Sequence, residues 1–272
     1  MIFLEKLESR QKKSKTLLCV GLDPDLKRIP DIIRNGKSPI LMFNKAIIDA
    51  THEFVCAFKP QAAYYGAVGA EHELAETVSY IHSVYPDIPV ILDAKRGDIG
   101  PTATKYAEES FLRYNVDAVT VNPYLGYDSI QPFVEYKDKG VIILCKTSNK
   151  SSGDFQDLMI SGKPLFEHVA EKALSEWNQN KNILFVVGAT YPSQMKYLRQ
   201  LAKNTVFLVP GIGAQGGSVS EICDNGLRPD GLGLILSSSR AIIHASQESD
   251  FAEKARIVAK LTRDEMLAHC SF

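Results

Sequence analysis

The stretch VILDAKRGDIGPTA, residues 90–103, passes from strand to helix through one short loop. Val90 to Lys95 is a brief apolar run that turns charged at its end, as a strand buried on both faces does where it reaches the rim of a sheet. Gly100-Pro101 then sets a helix start, with Pro at the first helical position and Ala103, Tyr106 and Ala107 following on one face. The stretch is one β-α unit, and the question is how often the unit recurs.

It recurs along the whole chain. Upstream, TLLCVGLD ends at Asp23 and FVCAFKP near Lys59. Downstream come DAVTVN to Asn122, GVIILCKTS to Ser148, NILFVVGA to Ala189, TVFLVPGI to Ile212 and GLGLILSS to Ser238. Each is bounded by Gly, Pro or Asp. Amphipathic stretches lie between them: Leu74, Val78 and Ile81 repeat at i, i+4, i+7, as do Phe251, Ala255 and Val258. Strand ends spaced about 25 to 40 residues apart fit successive βαβ units. Eight units with no Pro- or Ser-rich linker predict an α/β chain folded as a (β/α)8 TIM barrel, one domain over residues 1–272. An open doubly wound sheet is the competitor, and it usually shows fewer units.

Composition narrows the function. The chain has 272 residues, 45% hydrophobic and 23% charged, with net charge −1. A sizeable core is available, and no basic excess supports nucleic-acid or anionic-membrane binding. No apolar run reaches membrane-spanning length, and the N-terminal segment MIFLEKLESRQKKSK mixes acids and bases without an apolar signal region. Five cysteines, odd in number and without C-x-x-C, read as reduced thiols of a cytoplasmic protein.

In a barrel the active groups stand at the C-terminal ends of strands. Asp93 and Lys95 are two apart at such an end, so they face the same way, into the barrel, where pairing offsets the cost of burying either charge. Asp98 follows in the loop, giving D-x-K-x-x-D. A structural ion pair closing the rim would use the same spacing. Asp23 and Lys59 end the two preceding strands, however, and four ionisable groups at three adjacent strand ends exceed what a rim needs. A lysine flanked by carboxylates stays protonated and is a ready general acid.

PGIGAQGG, residues 210–217, contains G-x-G-x-x-G at Gly211, Gly213 and Gly216. A dinucleotide fingerprint is formally possible, but the position after a seventh strand favours a phosphate loop, with Arg240 just past the eighth strand adding a guanidinium. The polar stretch Thr147 to Lys163 is long for a strand-to-helix connection and reads as a lid. The six histidines lack metal-ligand spacing and are expected on helix surfaces or the rim. Phe166, Leu174 and Trp177 read as core, and Lys12, Lys13 and Lys15 as a solvated face.

LDAKRGDIGPTA, with GLD, FKPQ and PGIGAQGG in the same order, resembles the signature of the orotidine 5'-phosphate decarboxylase family across essentially the whole chain. The resemblance implies decarboxylation of orotidine 5'-phosphate to uridine 5'-phosphate, the last step of de novo UMP synthesis, with no metal and no organic cofactor. It implies Lys95 as proton donor to C6, Asp93 beside the substrate carboxylate, Lys59 orienting Asp93 and meeting the ribose, and Asp23 on a ribose hydroxyl. It also implies Asp98 and Thr102 supplied to the neighbouring subunit of a homodimer, with Ile99 lining that site. Ser148 is implied at the pyrimidine amide, and Gln215 with Arg240 at the 5'-phosphate. One departure is Ser239, where many members carry Gly before the arginine. The rivals are a metal-dependent sugar-phosphate decarboxylase or aldolase sharing D-x-K-x-x-D, which needs a second acid where Lys59 stands, and a non-catalytic nucleotide-binding barrel.

Overall fold

Eight parallel strands carry the fold: β1 Leu18–Leu22, β2 Ala57–Pro60, β3 Ile91–Arg96, β4 Ala118–Val121, β5 Gly140–Lys146, β6 Ile183–Val187, β7 Phe207–Pro210 and β8 Leu234–Ser238. In this computed structural model, which describes residues 1–212 and 217–270, they hydrogen-bond in the order β2-β1-β8-β7-β6-β5-β4-β3. Bridges from Phe58 to Val90 and from Gln61 to Asp93 join β2 to β3 and bring the ring nearly to closure. The open doubly wound alternative is thereby set aside. Every predicted strand is present and ends within two residues of its expected end.

Alternation along the strands sorts the core into two shells. Leu18, Val20, Phe58, Leu92, Val119 and Val141 face outward and pack under helices that include Pro39–Thr51, Glu71–Val84 and Phe251–Leu267. Cys19, Ala57, Ile91, Ala118, Ile142, Leu184, Leu208 and Ile235, one from each strand, form a separate inner cluster. The helix Phe3–Ser14 closes the lower mouth of the barrel. Its Phe3 and Leu7 join the inner cluster, and its Gln11 amide donates to the Leu234 carbonyl at 2.7 Å.

The structure adds detail to one expectation and changes another. The connection after β5 is not an open polar loop: it contains the short helix Gly153–Gln156 and a hairpin pairing Met159–Ile160 with Lys163–Pro164. Lys146, fully buried at the end of β5, donates to both Asp157 carboxylate oxygens at 2.8 and 2.9 Å and ties the connection to the barrel. His244 is not a surface or rim histidine. It is buried and stacked on Phe43 with centroids 5.6 Å apart, because the short helix Arg240–Ile243 delivers it beneath the rim. Phe166 and Trp177 are buried and Leu174 packs against the core, while Lys12 and Lys13 are exposed, as expected.

Candidate active site

The site begins one level above the inner apolar cluster. Two residues further along five of the strands, Cys19 gives way to Gly21, Ala57 to Lys59, Ile91 to Asp93, Ala118 to Thr120 and Ile235 to Ser237. Three adjacent strands thus turn from apolar to polar at the same height, toward the C-terminal mouth where barrels hold their chemistry.

Asp93 is the hub. Lys59 donates to its Oδ2 at 2.8 Å and Lys95 to its Oδ1 at 2.6 Å. Asp93 and Lys59 are buried, whereas the Lys95 side chain is 47% exposed. Burial alone would raise the Asp93 carboxyl, but the ammonium groups of Lys59 and Lys95 outweigh it and hold the acid well below the usual carboxylate range. Burial likewise opposes the charge on Lys59, and Asp93 and Asp23 override it, lifting its pKa above that of an ordinary lysine. Both ions therefore persist at neutral pH. Beneath them, burial pushes the Cys19 thiol up to about 12, so this layer of the barrel stays uncharged.

Simple pleat alternation puts Asp93 and Lys95 on one face. They do meet, by a different route. The β3–β4 register shifts between Leu92 and Arg96, and Lys95 has φ 48°, the left-handed region that a lysine seldom enters. Thr120, which sequence reasoning missed, supports this bulge. Its Oγ1 accepts the amides of Ala94 and Lys95 at 3.0 and 2.9 Å and donates to Asp93 Oδ1 at 3.0 Å. The available signal was a hydroxyl residue two positions beyond inward-facing Ala118 on the neighbouring strand.

Asp23, just past β1, accepts from the Ser239 hydroxyl at 2.6 Å. Asp23, Lys59, Asp93, Gly211 and Arg240 line one cleft at the barrel mouth. Arg240 is exposed at the start of its short helix. Ser148 follows β5, and its backbone lies so close to β6 that a Cβ on Gly188 would come within 2.8 Å of it. Asp98 does not join the cluster of its own chain: its Oδ1 accepts the Ile99 amide at 2.8 Å. Ile99 and Thr102 stand exposed beside it, Ile99 at 54%. Gln215 and the centre of PGIGAQGG lie outside the described residues. Among the described residues, no three His, Cys, Asp or Glu side chains gather as a metal-ligand set.

The model of the orotidine 5'-phosphate decarboxylase / HUMPS family matches residues 16–255, which contain every residue of this cleft. The chain belongs to that family. It is 54% identical over 268 residues to the orotidine 5'-phosphate decarboxylase of Cellvibrio japonicus, covering 98% of each chain. It is 50% identical over 264 residues to that of a Janthinobacterium species, covering 97% of each. Among solved structures, the OMP decarboxylase of Leishmania donovani superposes with a TM-score of 0.85 at 41% identity, covering 98% of both chains. The two chains thus share one fold over nearly their whole length.

Proposed function

We propose that this protein decarboxylates orotidine 5'-phosphate to uridine 5'-phosphate and carbon dioxide, and that Lys95 protonates C6. The observation that carries the reading is the buried carboxylate of Asp93 held between two ammonium groups, that of buried Lys59 and that of Lys95, which is open to solvent. Loss of carbon dioxide breaks the C6–carboxylate bond and leaves its electron pair on C6. A fixed ammonium beside C6 stabilises that charge without reorganisation, because Asp93 and the Thr120-braced bulge already hold it. The Lys95 proton then passes to C6, and the resulting amine regains a proton from solvent.

In this reading Lys59 is a permanent counter-ion that keeps Asp93 ionised beside the substrate carboxylate. Asp23 accepts a ribose hydroxyl, Ser148 meets the pyrimidine amide, and Arg240 with Gln215 grips the 5'-phosphate. Binding energy from the phosphate end is then available for chemistry at C6, some distance away.

The working unit in this proposal is a cytoplasmic homodimer in which Asp98 and Thr102 complete the partner's site. Support comes from the Asp98 loop, whose carboxylate bonds its own Ile99 amide instead of joining the lysines, and which presents apolar Ile99 to the outside. The reaction is followed directly as loss of substrate ultraviolet absorbance, with and without a chelator. Turnover unchanged by chelator is expected. Turnover abolished by chelator and restored by Mg²⁺ would favour the metal-dependent sugar-phosphate class instead, and uridine 5'-phosphate binding without turnover would favour the non-catalytic barrel.

A further inference from the structure

Ser239 separates the two ends of the cleft: Arg240 follows it directly, and Asp23 lies across the β1–β8 seam. Its hydroxyl has two acceptors within reach, Asp23 Oδ2 at 2.6 Å and the Gly21 carbonyl at 3.3 Å. One proton cannot serve both well. The shorter contact, to an ionised acceptor, is the stronger, so the hydroxyl donates to Asp23. The other carboxylate oxygen, Oδ1, is buried and has no hydrogen-bond partner among the described residues. Asp23 therefore lines the cleft with its carboxylate fixed through Oδ2, and a carboxylate oxygen that accepts one hydrogen bond can accept a second from a ligand hydroxyl.

The backbone has been shaped around this contact. A Cβ on Gly21 would lie 2.7 Å from Ser239 Cβ and 2.9 Å from its Oγ, so β1 carries glycine opposite the serine. Ser239 itself sits at φ −126° and ψ −90°, outside both helix and strand, at the point where β8 hands over to the short helix Arg240–Ile243. Gly21, Asp23 and Ser239 thus form one small unit, and it adjoins the arginine at the phosphate end.

We infer that Ser239 is a positioning residue that fixes the Asp23 carboxylate to receive the ribose hydroxyls of a 5'-ribonucleotide, so that it sets discrimination for the sugar. The inference rests on the decarboxylase reading for the identity of the nucleotide. It assigns Ser239 no contact with the reacting atoms and no part in the proton transfer.

The test is a double-mutant cycle on the full-length protein. The variants are Ser239→Ala, Asp23→Ala and their combination, with Ser239→Cys as a volume-matched variant that is a weak donor. The probes are uridine 5'-phosphate and its 2',3'-dideoxy analogue, with turnover of orotidine 5'-phosphate measured alongside. Ser239→Ala is expected to weaken uridine 5'-phosphate binding about tenfold, the size of one hydrogen bond to an ionised group. It should raise KM more than it lowers kcat and leave affinity for the dideoxy analogue within about twofold, a difference too small to represent one such bond. Ser239→Cys should fall between Ala and wild type, and in the Asp23→Ala background the serine change should have no further effect. Equal losses for both nucleotides, or additive losses in the double variant, overturn the inference, because packing against Gly21 would then explain the serine. Wild-type protein that binds uridine 5'-phosphate but does not turn over orotidine 5'-phosphate overturns the decarboxylase reading and leaves the sugar-discrimination result to stand alone.

Discussion

Thr120→Val is the most informative single change at the C6 end of the site, because it removes one hydroxyl and nearly preserves shape. That hydroxyl makes three contacts: it donates to ionised Asp93 and accepts the amides of Ala94 and Lys95. A hydrogen bond to a charged group contributes about 1.5 to 3 kcal/mol, and an amide left without an acceptor costs about 1 kcal/mol or more. Ala94 is half-buried and Lys95 exposed, so water recovers part of the amide loss, and the net cost comes to about 3 kcal/mol. Some of this falls on folding. With half of it, about 1.5 kcal/mol, on folding, and roughly 2 to 4 °C per kcal/mol for a chain of this size, Tm should drop by about 3 to 6 °C.

The remainder falls on catalysis, because the same hydroxyl holds Lys95 at φ 48°. Without it the backbone relaxes toward an ordinary strand and the ammonium leaves the place that the proposed mechanism gives it. If half the cost, about 1.5 kcal/mol, is expressed in the transition state, kcat falls about tenfold. KM should change by less than about threefold, since the phosphate and ribose ends are untouched. Thr120→Ser, which keeps the hydroxyl, should behave nearly as wild type. Steady-state kinetics and thermal denaturation of the three proteins decide the matter: a Val variant with wild-type kcat and unchanged Tm would refute the bracing role.

Other consequences can be checked separately. If Lys95 is the proposed proton donor to C6, Lys95→Ala should nearly abolish turnover while nucleotide binding partly survives, and kcat within tenfold of wild type would sink the assignment. Arg240→Ala should weaken binding of uridine 5'-phosphate and slow turnover while barely altering uridine binding; calorimetry showing equal losses for both would point to a structural arginine. Mixing inactive Lys95→Ala and Asp98→Ala proteins under subunit exchange should restore about a quarter of wild-type activity if Asp98 serves the partner's site, and nothing if it serves its own. Burial lowers His244 to about 4, with Arg28 adding repulsion and Asp25 a weaker attraction. Its unfolded pKa is higher, so the unfolded chain takes up the proton first and stability falls as pH drops. Between pH 6.5 and 4.5 the loss is about 2 kcal/mol. His244→Phe should remove that component from the pH dependence of urea unfolding.

The barrel was legible because its cause is local and repeated: each strand is a short β-branched run, and each end is marked by Gly, Pro or a charge. The Lys59–Asp93–Lys95 cluster was legible for a related reason, since a charge at an inward position near a strand end is costly unless it is paired or put to use. Thr120 was not, because a single threonine in AVTV is ordinary strand composition until the neighbouring strand is known to bulge against it. The bulge itself was hidden, as nothing in LDAKRG distinguishes a left-handed lysine from a pleated one. His244 was misplaced because its burial depends on packing against Phe43, far off in the chain. The helix and hairpin within the polar stretch after β5 were not legible, because a buried anchor, Lys146, looks in sequence like any charge at a strand end. Asp98 showed its spacing but not the subunit it serves, a question of assembly rather than of local pattern.

The helix Phe3–Ser14 has a practical consequence for engineering. Its Phe3 and Leu7 fill the inner cluster at the lower mouth, with only the strand interiors between them and the charged layer. The floor is thus a part of the core whose packing can be changed without touching the charged layer. Natural enzymes often trade turnover for resistance to heat because stabilising changes stiffen the groups that react. Here a designer can rebuild the floor around Phe3, Leu7 and Gly140 and select for thermal survival, while the lysines at the roof keep their spacing.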